Sequence, residues 1–339
     1  MTKPTKWKTQ RQSFIESLSY LDGRKKGQIT SLKTPWKKFN DATTDGIEWH
    51  STTVIGARPA TGKTLIKDLI VSGAFKLNPL MNFRVLEFQF EMLGKNSAIR
   101  EYSQNLGVSY KYLCSADGKL SDTDFEKCRA YAKAKLLYPI DMVEEACNVN
   151  EFREIIEEYM LLHSSLIMQR NAQTGKDEQV RVYKNTIVTL DHSLLLDNSP
   201  YGDDMSMLKA LGKTVTALKR KYPIAFIILS QLNRNIDSPE RNEDGKYGNF
   251  ILDSDIFGSD ALLQHADTLI GLNRPGKQKL TYYGVERYII NQDPTILAMH
   301  FLKCRNGETG IAFFRTEFER MHISEIATPA RQERRIRTS

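Results

Sequence analysis

Residues 55 to 65 read IGARPATGKTL, and this stretch decides the fold of the chain. A phosphate-binding loop needs inward-pointing backbone N–H groups, a lysine for the β- and γ-phosphates, and a hydroxyl for Mg²⁺. Gly62, Lys63 and Thr64 supply the flexible residue, the lysine and the hydroxyl. Four residues usually separate the first loop position from this Gly-Lys-Thr end, so the first position falls on Ala57 and not on the glycine before it. The predicted nucleotide-binding residues are Ala57, Arg58, Pro59, Ala60, Thr61, Gly62, Lys63, Thr64 and Leu65.

Length and composition exclude several classes of protein. The chain has 339 residues, 40% of them apolar and 26% charged, which is enough for a sizeable core. The longest apolar run, Ile224 to Leu229, is far too short to span a bilayer, and no signal-peptide core follows the N-terminal methionine. Four scattered cysteines without metal-ligand spacing argue against disulfides and zinc. These observations predict a cytoplasmic protein with no membrane partner.

The net charge of +7 is located at the two ends of the chain. Residues 1–12 carry +4 and residues 330–339 carry +3, whereas the rest of the chain holds 40 basic and 40 acidic residues. Any attraction to nucleic acid must therefore come from the ends or from a local group of residues. Solvated, disordered ends are the alternative interpretation of the two basic segments.

Apolar strand patterns alternate with helix patterns, which predicts an α/β fold with a mostly parallel sheet flanked by helices. Strands are predicted at Thr53 to Ile55, Arg84 to Phe90, Thr186 to Leu190 and Ile224 to Leu229. Helices are predicted at Lys63 to Leu77, Asp122 to Leu136, Glu151 to Leu162 and Asp203 to Tyr222. Further strands at Thr281 to Ile290 and Ile296 to Leu302 predict an antiparallel extension of the sheet near the C-terminal end. Loops are predicted at Ser164 to Tyr183 and Arg234 to Asp255.

Polar residues follow three of the predicted strands. Asp191 ends one strand, and we expect it to bind Mg²⁺ together with the hydroxyl of the phosphate loop. Glu91 follows another strand and is a candidate to orient or deprotonate the attacking water, with Glu87 on the same strand as its rival. Gln231 follows the third strand, where an amide can sense the γ-phosphate. His192 is interpreted as a packed or hydrogen-bonded histidine.

Several segments, in the expected order, resemble the DnaB-like replicative helicases, which are RecA-like P-loop ATPases. The matching segments are ARPATGKT at 57–64, FQFEM at 88–92, LDH at 190–192, LSQLNR at 229–234, residues 258–267 and KCRNGETG at 303–310. The phosphate loop of this family often begins with alanine, which agrees with the count above. The resemblance covers residues 13 to 325 and implies a RecA-like fold, with ATP and Mg²⁺ as cofactors.

The resemblance also implies a ring. In the family, the lysine and arginine of the last segment reach the nucleotide of the neighbouring subunit, and such head-to-tail contacts close into rings. Lys303 and Arg305 are therefore predicted to act in trans in a homohexamer, and their spacing on a strand predicts that they point to the same side. An edge strand with solvated basic side chains is the alternative.

A short helix near the N-terminus is a second candidate for an assembly element. Phe14, Leu18 and Leu21 form an apolar stripe, and Gly23 is expected to follow the helix. A helix at this position in the family packs on the adjacent subunit, but the stripe is equally compatible with packing on its own core.

Contacts with single-stranded DNA are expected in a central loop that binds the nucleic-acid backbone. The candidate residues are Arg234, Arg241, Lys246 and Phe257. Phe257 either stacks on a base or packs inward.

The expected organisation is a basic arm (1–12), a linker helix and connection (13–30), a RecA-like ATPase and helicase domain (31–327) and a basic tail (328–339). A family-type primase-interacting domain before the linker helix is not expected, and primase and a helicase loader are possible partners. The predicted function is ATP-driven translocation on single-stranded DNA with unwinding at a replication fork, in the bacterial host cytoplasm if a phage encodes the protein. A RecA- or RadA-like recombinase and a nucleotide-binding loading or clamp partner are the alternatives.

Overall fold

A mixed sheet runs through the part of the chain that the computed structural model describes, which is residues 7–170, 175–242, 250–257 and 264–332. The strands are β1 Ser51–Ala57, β2 Phe83–Gln89, β3 Ile140–Val143, β4 Ser165–Arg170, β5 Asp177–Val182, β6 Asn185–Asp191, β7 Ile224–Gln231, β8 Thr268–Asn273, β9 Tyr282–Tyr283, β10 Tyr288–Ile289, β11 Ile296–Cys304, β12 Gly310–Glu317 and β13 His322–Glu325. The helices are α1 Gln10–Lys25, α2 Lys37–Ala42, α3 Lys63–Leu77, α4 Gly94–Leu106, α5 Tyr110–Leu113, α6 Asp122–Lys135, α7 Val149–Leu162, α8 Asp204–Lys221 and α9 Pro239–Asn242.

The described strands of the main sheet lie in the order β13-β12-β11-β8-β1-β7-β6-β2-β3. Strands β8, β1, β7, β6, β2 and β3 are parallel, whereas β11, β12 and β13 extend the sheet antiparallel. The predicted fold class, a mostly parallel sheet with an antiparallel extension near the C-terminal end, is therefore confirmed.

Hydrogen-bond register brings the ends of four parallel strands to one edge of the sheet. Ala57, the last residue of β1, pairs with Gln231 at the end of β7. Gln89, the last residue of β2, pairs with Asp191 at the end of β6. Chain segments that leave these strands therefore meet at the carboxyl edge, where ligands bind in open α/β sheets.

Helices cover both faces of the sheet. Ile66 and Ile70, four apart on α3, are fully buried against one face. Phe152 of α7 and Leu211 of α8 are fully buried against the other face. None of the helices in the described ranges is long and apolar enough to cross a membrane.

Two segments differ from their predicted structure. The predicted loop at 164–183 contains an antiparallel hairpin of β4 and β5, in which Ile167 pairs with Val180. All described residues of its two strands are exposed, so local cross-strand pairing forms the hairpin without help from the core. The predicted strand at 281–290 is instead the separate hairpin of β9 and β10, outside the main sheet.

Helix α1 begins at Gln10, inside the predicted arm, and continues past Gly23, which was wrongly expected to follow it. Its apolar stripe does not pack on the core of its own chain. Phe14 is 61% exposed, Leu18 65% and Leu21 59%. Of the two interpretations of the stripe, packing on its own core is therefore wrong.

Substitution of Phe88 by alanine tests the core beneath the carboxyl edge. Phe88 is fully buried in β2, and its ring centroid lies 4.6 Å from that of Phe152. Phe88→Ala is expected to lower the free energy of unfolding by about 3–5 kcal/mol, because it removes transfer energy and leaves a cavity. The matched control Leu136→Ala removes a side chain that is 85% exposed. Urea unfolding measures both, and equal losses would contradict this assignment of the core.

Candidate nucleotide-binding and catalytic site

A cavity of about 950 Å³ opens at the carboxyl edge of the sheet. The phosphate loop contributes every residue from Arg58 to Leu65 to its lining. Glu91, Asp191 and Gln231 line the same cavity, so the residues predicted from three separate strand ends are brought together. Ala57 closes β1 and is fully buried.

The loop has the backbone path that phosphate binding requires. Gly62 caps α3 with a φ of 109°, a conformation that residues with a Cβ rarely adopt. A Cβ at this position would also lie 2.9 Å from Cε1 of Phe318. Lys63 then begins α3, so the unpaired N–H groups and the positive end of the helix dipole are directed to the loop. Arg58 forms an ion pair with Asp237, in which its Nε lies 2.8 Å from a carboxylate oxygen.

Asp191 fits the role of a magnesium residue. It is only 4% exposed, and its Oδ1 has no hydrogen-bond partner within the described residues. A cation bound at this rim of the phosphate loop would give the buried carboxylate oxygen a partner. Thr64 lines the same cavity. No three His, Cys, Asp or Glu residues of the described ranges form a metal site on their own.

The charge of Lys63 is influenced by its burial and by two nearby carboxylates, those of Asp191 and Glu91. Burial lowers the pKa of its ammonium group, and the charges of Asp191 and Glu91 act in the opposite direction. The anionic phosphates of a nucleotide would add to these carboxylates in favouring the charged lysine.

The structure separates the two candidate glutamates. Glu91 lines the cavity. Glu87 does not line this cavity. Instead, its Oε1 accepts hydrogen bonds inside the protein from Nζ of Lys67 at 3.1 Å and from Oγ1 of Thr189 at 3.4 Å. Its position inside the protein favours Glu91 as the residue that faces the attacking water.

His192 is buried and hydrogen-bonded to Gln231, and both line the cavity. Burial, together with the charge of Lys63, lowers the pKa of His192 and favours the neutral ring. The backbone N–H of Leu194 donates to its Nδ1 at 3.3 Å. Its Nε2 lies 3.2 Å from the side-chain amide nitrogen of Gln231, and the tautomer of the ring and the orientation of the amide set which group donates.

Residues that the sequence did not single out complete the cavity. Arg274 directly follows β8, and its guanidinium carbon lies 4.4 Å from the ring centroid of Phe318. Burial lowers the pKa of Arg274, and its Nε has no hydrogen-bond partner within the described residues. The sequence could have indicated Arg274, because it is a charged residue directly after a strand. No sequence signal indicated Phe318, because it is far from the phosphate loop along the chain. Other lining residues from outside the loop are Met92, Asn96, Arg100, Tyr110, Lys277 and Met321.

Arg305 lies near the opposite edge of the sheet from its own phosphate loop. Cys304 pairs with Thr268, which pairs with Thr53 near the start of β1, whereas the loop follows the far end of that strand. The four residue steps from Thr53 to Ala57 span about 13 Å. Because β11 runs antiparallel, its carboxyl end points away from the cavity.

The two basic residues of this segment differ in setting. The side chain of Arg305 is 55% exposed, and its Nη1 lies 3.3 Å from Oδ1 of Asp267. Burial and the charge of Arg305 lower the pKa of Lys303. Arg305 lies one residue beyond β11, at the start of a turn, so the prediction that both residues are on one strand was wrong.

The candidate DNA residues that lie in the described part of the chain do not form one surface. Arg234 is exposed. Arg241 forms an ion pair with the buried Asp255 and donates to the carbonyl of Phe250, so it is occupied inside its own loop. Phe257 packs against the core, which supports the inward interpretation. Lys246 lies outside the described residues.

Comparisons with known proteins agree with this geometry. A family model described as DnaB-like helicase C terminal domain matches residues 31–323. The replicative DNA helicase DnaB of Buchnera aphidicola is 24% identical over 285 residues, which are 83% of this chain and 52% of that protein. The replicative DNA helicase DnaB of Helicobacter pylori is 26% identical over 260 residues, 75% of this chain and 46% of that protein. The DNA helicase/primase of Enterobacteria phage T3 is 26% identical over 128 residues, 37% of this chain and 20% of that protein.

The chain spans about half the length of the two DnaB relatives that it matches. Two solved structures have the same fold. One is described as a DnaB-like replicative helicase and its interactions with primase, with a TM-score of 0.71, 18% identity, and coverage of 92% of this chain and 68% of that chain. The other is described as an ATPase domain, with a TM-score of 0.69, 18% identity, and coverage of 92% of this chain and 98% of that chain.

Substitution of Glu91 by glutamine tests its role in hydrolysis. Glu91→Gln is expected to bind ATP normally but to hydrolyse it about 10²- to 10⁴-fold more slowly, because an amide cannot accept the proton of the attacking water. ATP binding by calorimetry and phosphate release measure the two properties. Glu157→Gln, at an exposed ion pair on α7, is the control and should hydrolyse normally. Normal turnover by Glu91→Gln would shift the role to Glu87.

Proposed function

The chain belongs to the DnaB-like helicase C-terminal domain family, and from this premise we propose that it is an ATP-driven, ring-forming DNA helicase. It translocates on single-stranded DNA and unwinds duplex at a replication fork. This activity requires the cytoplasm that holds the replicating DNA, which is that of the bacterial host if a phage encodes the protein.

The location of Arg305 carries the proposal. Its guanidinium is exposed and lies near the amino edge of the parallel strands, whereas its own phosphate loop is at the carboxyl edge. An arginine that stabilises charge on the γ-phosphate therefore has to serve a nucleotide on another protomer. Such a contact is head-to-tail, and repetition around an axis closes it into a ring, for which we propose a homohexamer.

Hydrolysis follows from the residues around the cavity. The loop N–H groups and Lys63 bind the phosphates, and the hydroxyl of Thr64 and the carboxylate of Asp191 would hold Mg²⁺. When bound, Mg²⁺ neutralises charge on the β- and γ-phosphate oxygens. Glu91 orients and deprotonates the attacking water, while the side-chain amide of Gln231 contacts the γ-phosphate. Arg305 of the adjacent protomer, with Lys303 beside it, completes the site.

Helix α1 supplies a second contact between protomers in this proposal. Four of its apolar side chains are exposed by more than half, and an exposed stripe of this kind marks an interaction surface. The four are Phe14, Ile15, Leu18 and Leu21. We propose that the stripe packs on the ATPase domain of the neighbour.

The loop after β7 is the proposed contact for single-stranded DNA. Of its candidates, the exposed Arg234 is the one that we retain for the DNA backbone. Primase is a further proposed partner, suggested by the described interactions of one structural relative, and closed rings also call for a loader.

Mass measurement of the protein with ATP and a single-stranded oligonucleotide tests the oligomer, the cofactor and the ligand together. A ring that unwinds a forked duplex and whose ATP hydrolysis rises with single-stranded DNA would support the helicase. A DNA-coated filament that exchanges strands would support the recombinase instead. A chain that binds ATP without DNA-stimulated hydrolysis would support the loading or clamp partner.

Mixing two inactive variants tests whether Arg305 acts in trans. Arg305→Ala is expected to lower kcat about 10³- to 10⁵-fold with nearly unchanged nucleotide affinity, because the residue serves the neighbour. Lys63→Ala is expected to lose hydrolysis because it removes the lysine from the phosphate loop of its own protomer. A mixture of the two should recover DNA-stimulated hydrolysis at those interfaces where an intact loop meets an intact arginine. A mixture as inactive as its components, in rings shown to contain both, would reject the assignment.

A further inference from the structure

A buried ionic cluster lies directly behind the candidate catalytic site. The side chain of Lys67 is completely buried in α3, and its Nζ lies 2.7 Å from Oδ1 of Asp68 and 3.1 Å from Oε1 of Glu87. The same Oε1 of Glu87 accepts a hydrogen bond from Oγ1 of Thr189 at 3.4 Å. One ammonium group therefore connects α3 with β2 and, through Glu87, with β6.

Each connected element carries part of the site. Lys67 follows Lys63 by four residues, so the two lie on one face of α3 one helical turn apart. On the sheet, Glu87 pairs with Thr189, and the next pair on the same face is Gln89 with Asp191. The cluster is thus one turn behind the phosphate loop on the helix and one step behind Asp191 on the sheet.

Stability alone does not account for such a cluster. Burial of charges costs solvation energy, and apolar residues of similar volume are often at least as stabilising as a buried ion pair. On the same face, one step further from the site, Val85 and Ile187 form an entirely apolar pair that is fully buried. The change from apolar to ionic contacts occurs where the sheet reaches the site. A bond with a defined direction fixes the spacing of helix and strands more narrowly than an apolar contact does.

We propose that Lys67, together with Glu87, is a positioning residue that holds α3 against β2 and β6 at the spacing required by Thr64 and Asp191 to share one Mg²⁺. This inference rests on the proposed nucleotide hydrolysis, and it adds residues that do not line the nucleotide cavity. Partners that orient metal ligands typically contribute about 10- to 100-fold to metal affinity or activity.

Glu87→Leu is the main test, because it leaves Lys67 paired with Asp68 and removes the connection to the strands. In the full-length protein, it is expected to lower kcat for DNA-stimulated ATP hydrolysis about 10- to 100-fold. The second readout is ADP affinity by calorimetry with and without Mg²⁺. The variant should lose most of the gain in affinity that Mg²⁺ provides, while ADP affinity without Mg²⁺ stays unchanged. Glu87→Gln keeps an acceptor for both donors and is expected to restore both readouts.

Val85→Ala is the matched control, since it removes a fully buried side chain of the same face and strand without touching the cluster. The Val85→Ala protein should be less stable but should keep both its kcat and the gain in ADP affinity that Mg²⁺ provides. Thr189→Val removes only the hydrogen bond to β6 and preserves the shape of the side chain, so it serves if Glu87→Leu does not fold. A smaller loss of the same two readouts is expected for it.

The outcomes separate this inference from the proposed function. If Glu87→Leu or Thr189→Val behaves like Val85→Ala in both readouts, the positioning role is rejected and the helicase is unaffected. If the unsubstituted protein binds Mg²⁺ and ADP but unwinds no DNA, the proposed function is rejected. In that case, the Mg²⁺-dependent gain in ADP affinity is the only measurement that tests the positioning role.

Discussion

The register of the parallel strands is the constraint on which the other features depend. Backbone hydrogen bonds pair Ala57 with Gln231 and Gln89 with Asp191, so chain segments that are far apart in sequence leave the sheet at the same level. A slip of one residue would turn Asp191 to the opposite face of the sheet, because side chains alternate along a strand. The apolar faces of the same strands, buried under helices on both sides, make such a slip costly.

The same sheet also separates the two halves of the proposed shared site. Parallel strands send the phosphate loop, Glu91 and Asp191 to the carboxyl edge, whereas the antiparallel β11 carries Arg305 towards the amino edge. A protomer therefore has a nucleotide cavity and an exposed arginine at different places on its surface. Family membership and this separation both support the proposal that the arginine meets a nucleotide only after assembly.

Charge is concentrated where the apolar core reaches the carboxyl edge. Moving along one face of β2 and β6, the buried pairs change from Val85 with Ile187 to Glu87 with Thr189. Burial of these groups is costly. Oδ1 of Asp191 has no hydrogen-bond partner within the described residues, and a cation would fit at that atom. Near the site, hydrogen bonds and ion pairs therefore replace apolar contacts in the protein interior.

Local patterns in the sequence were sufficient for the phosphate loop, for α3 and for the four buried strands, because glycine conformation, helix periodicity and apolar runs act over a few residues. They also indicated Asp191, Glu91 and Gln231, since polar residues at strand ends are visible in the sequence. The hairpin of β4 and β5 was missed because its exposed pairs leave no burial pattern. Only the tertiary structure put Glu91 at the cavity and Glu87 inside the protein, placed Arg274 and Phe318 beside the loop and Arg305 near the far edge, and revealed the partners of Lys67. These outcomes depend on register and strand direction, which are set by hydrogen bonds between segments far apart in the chain.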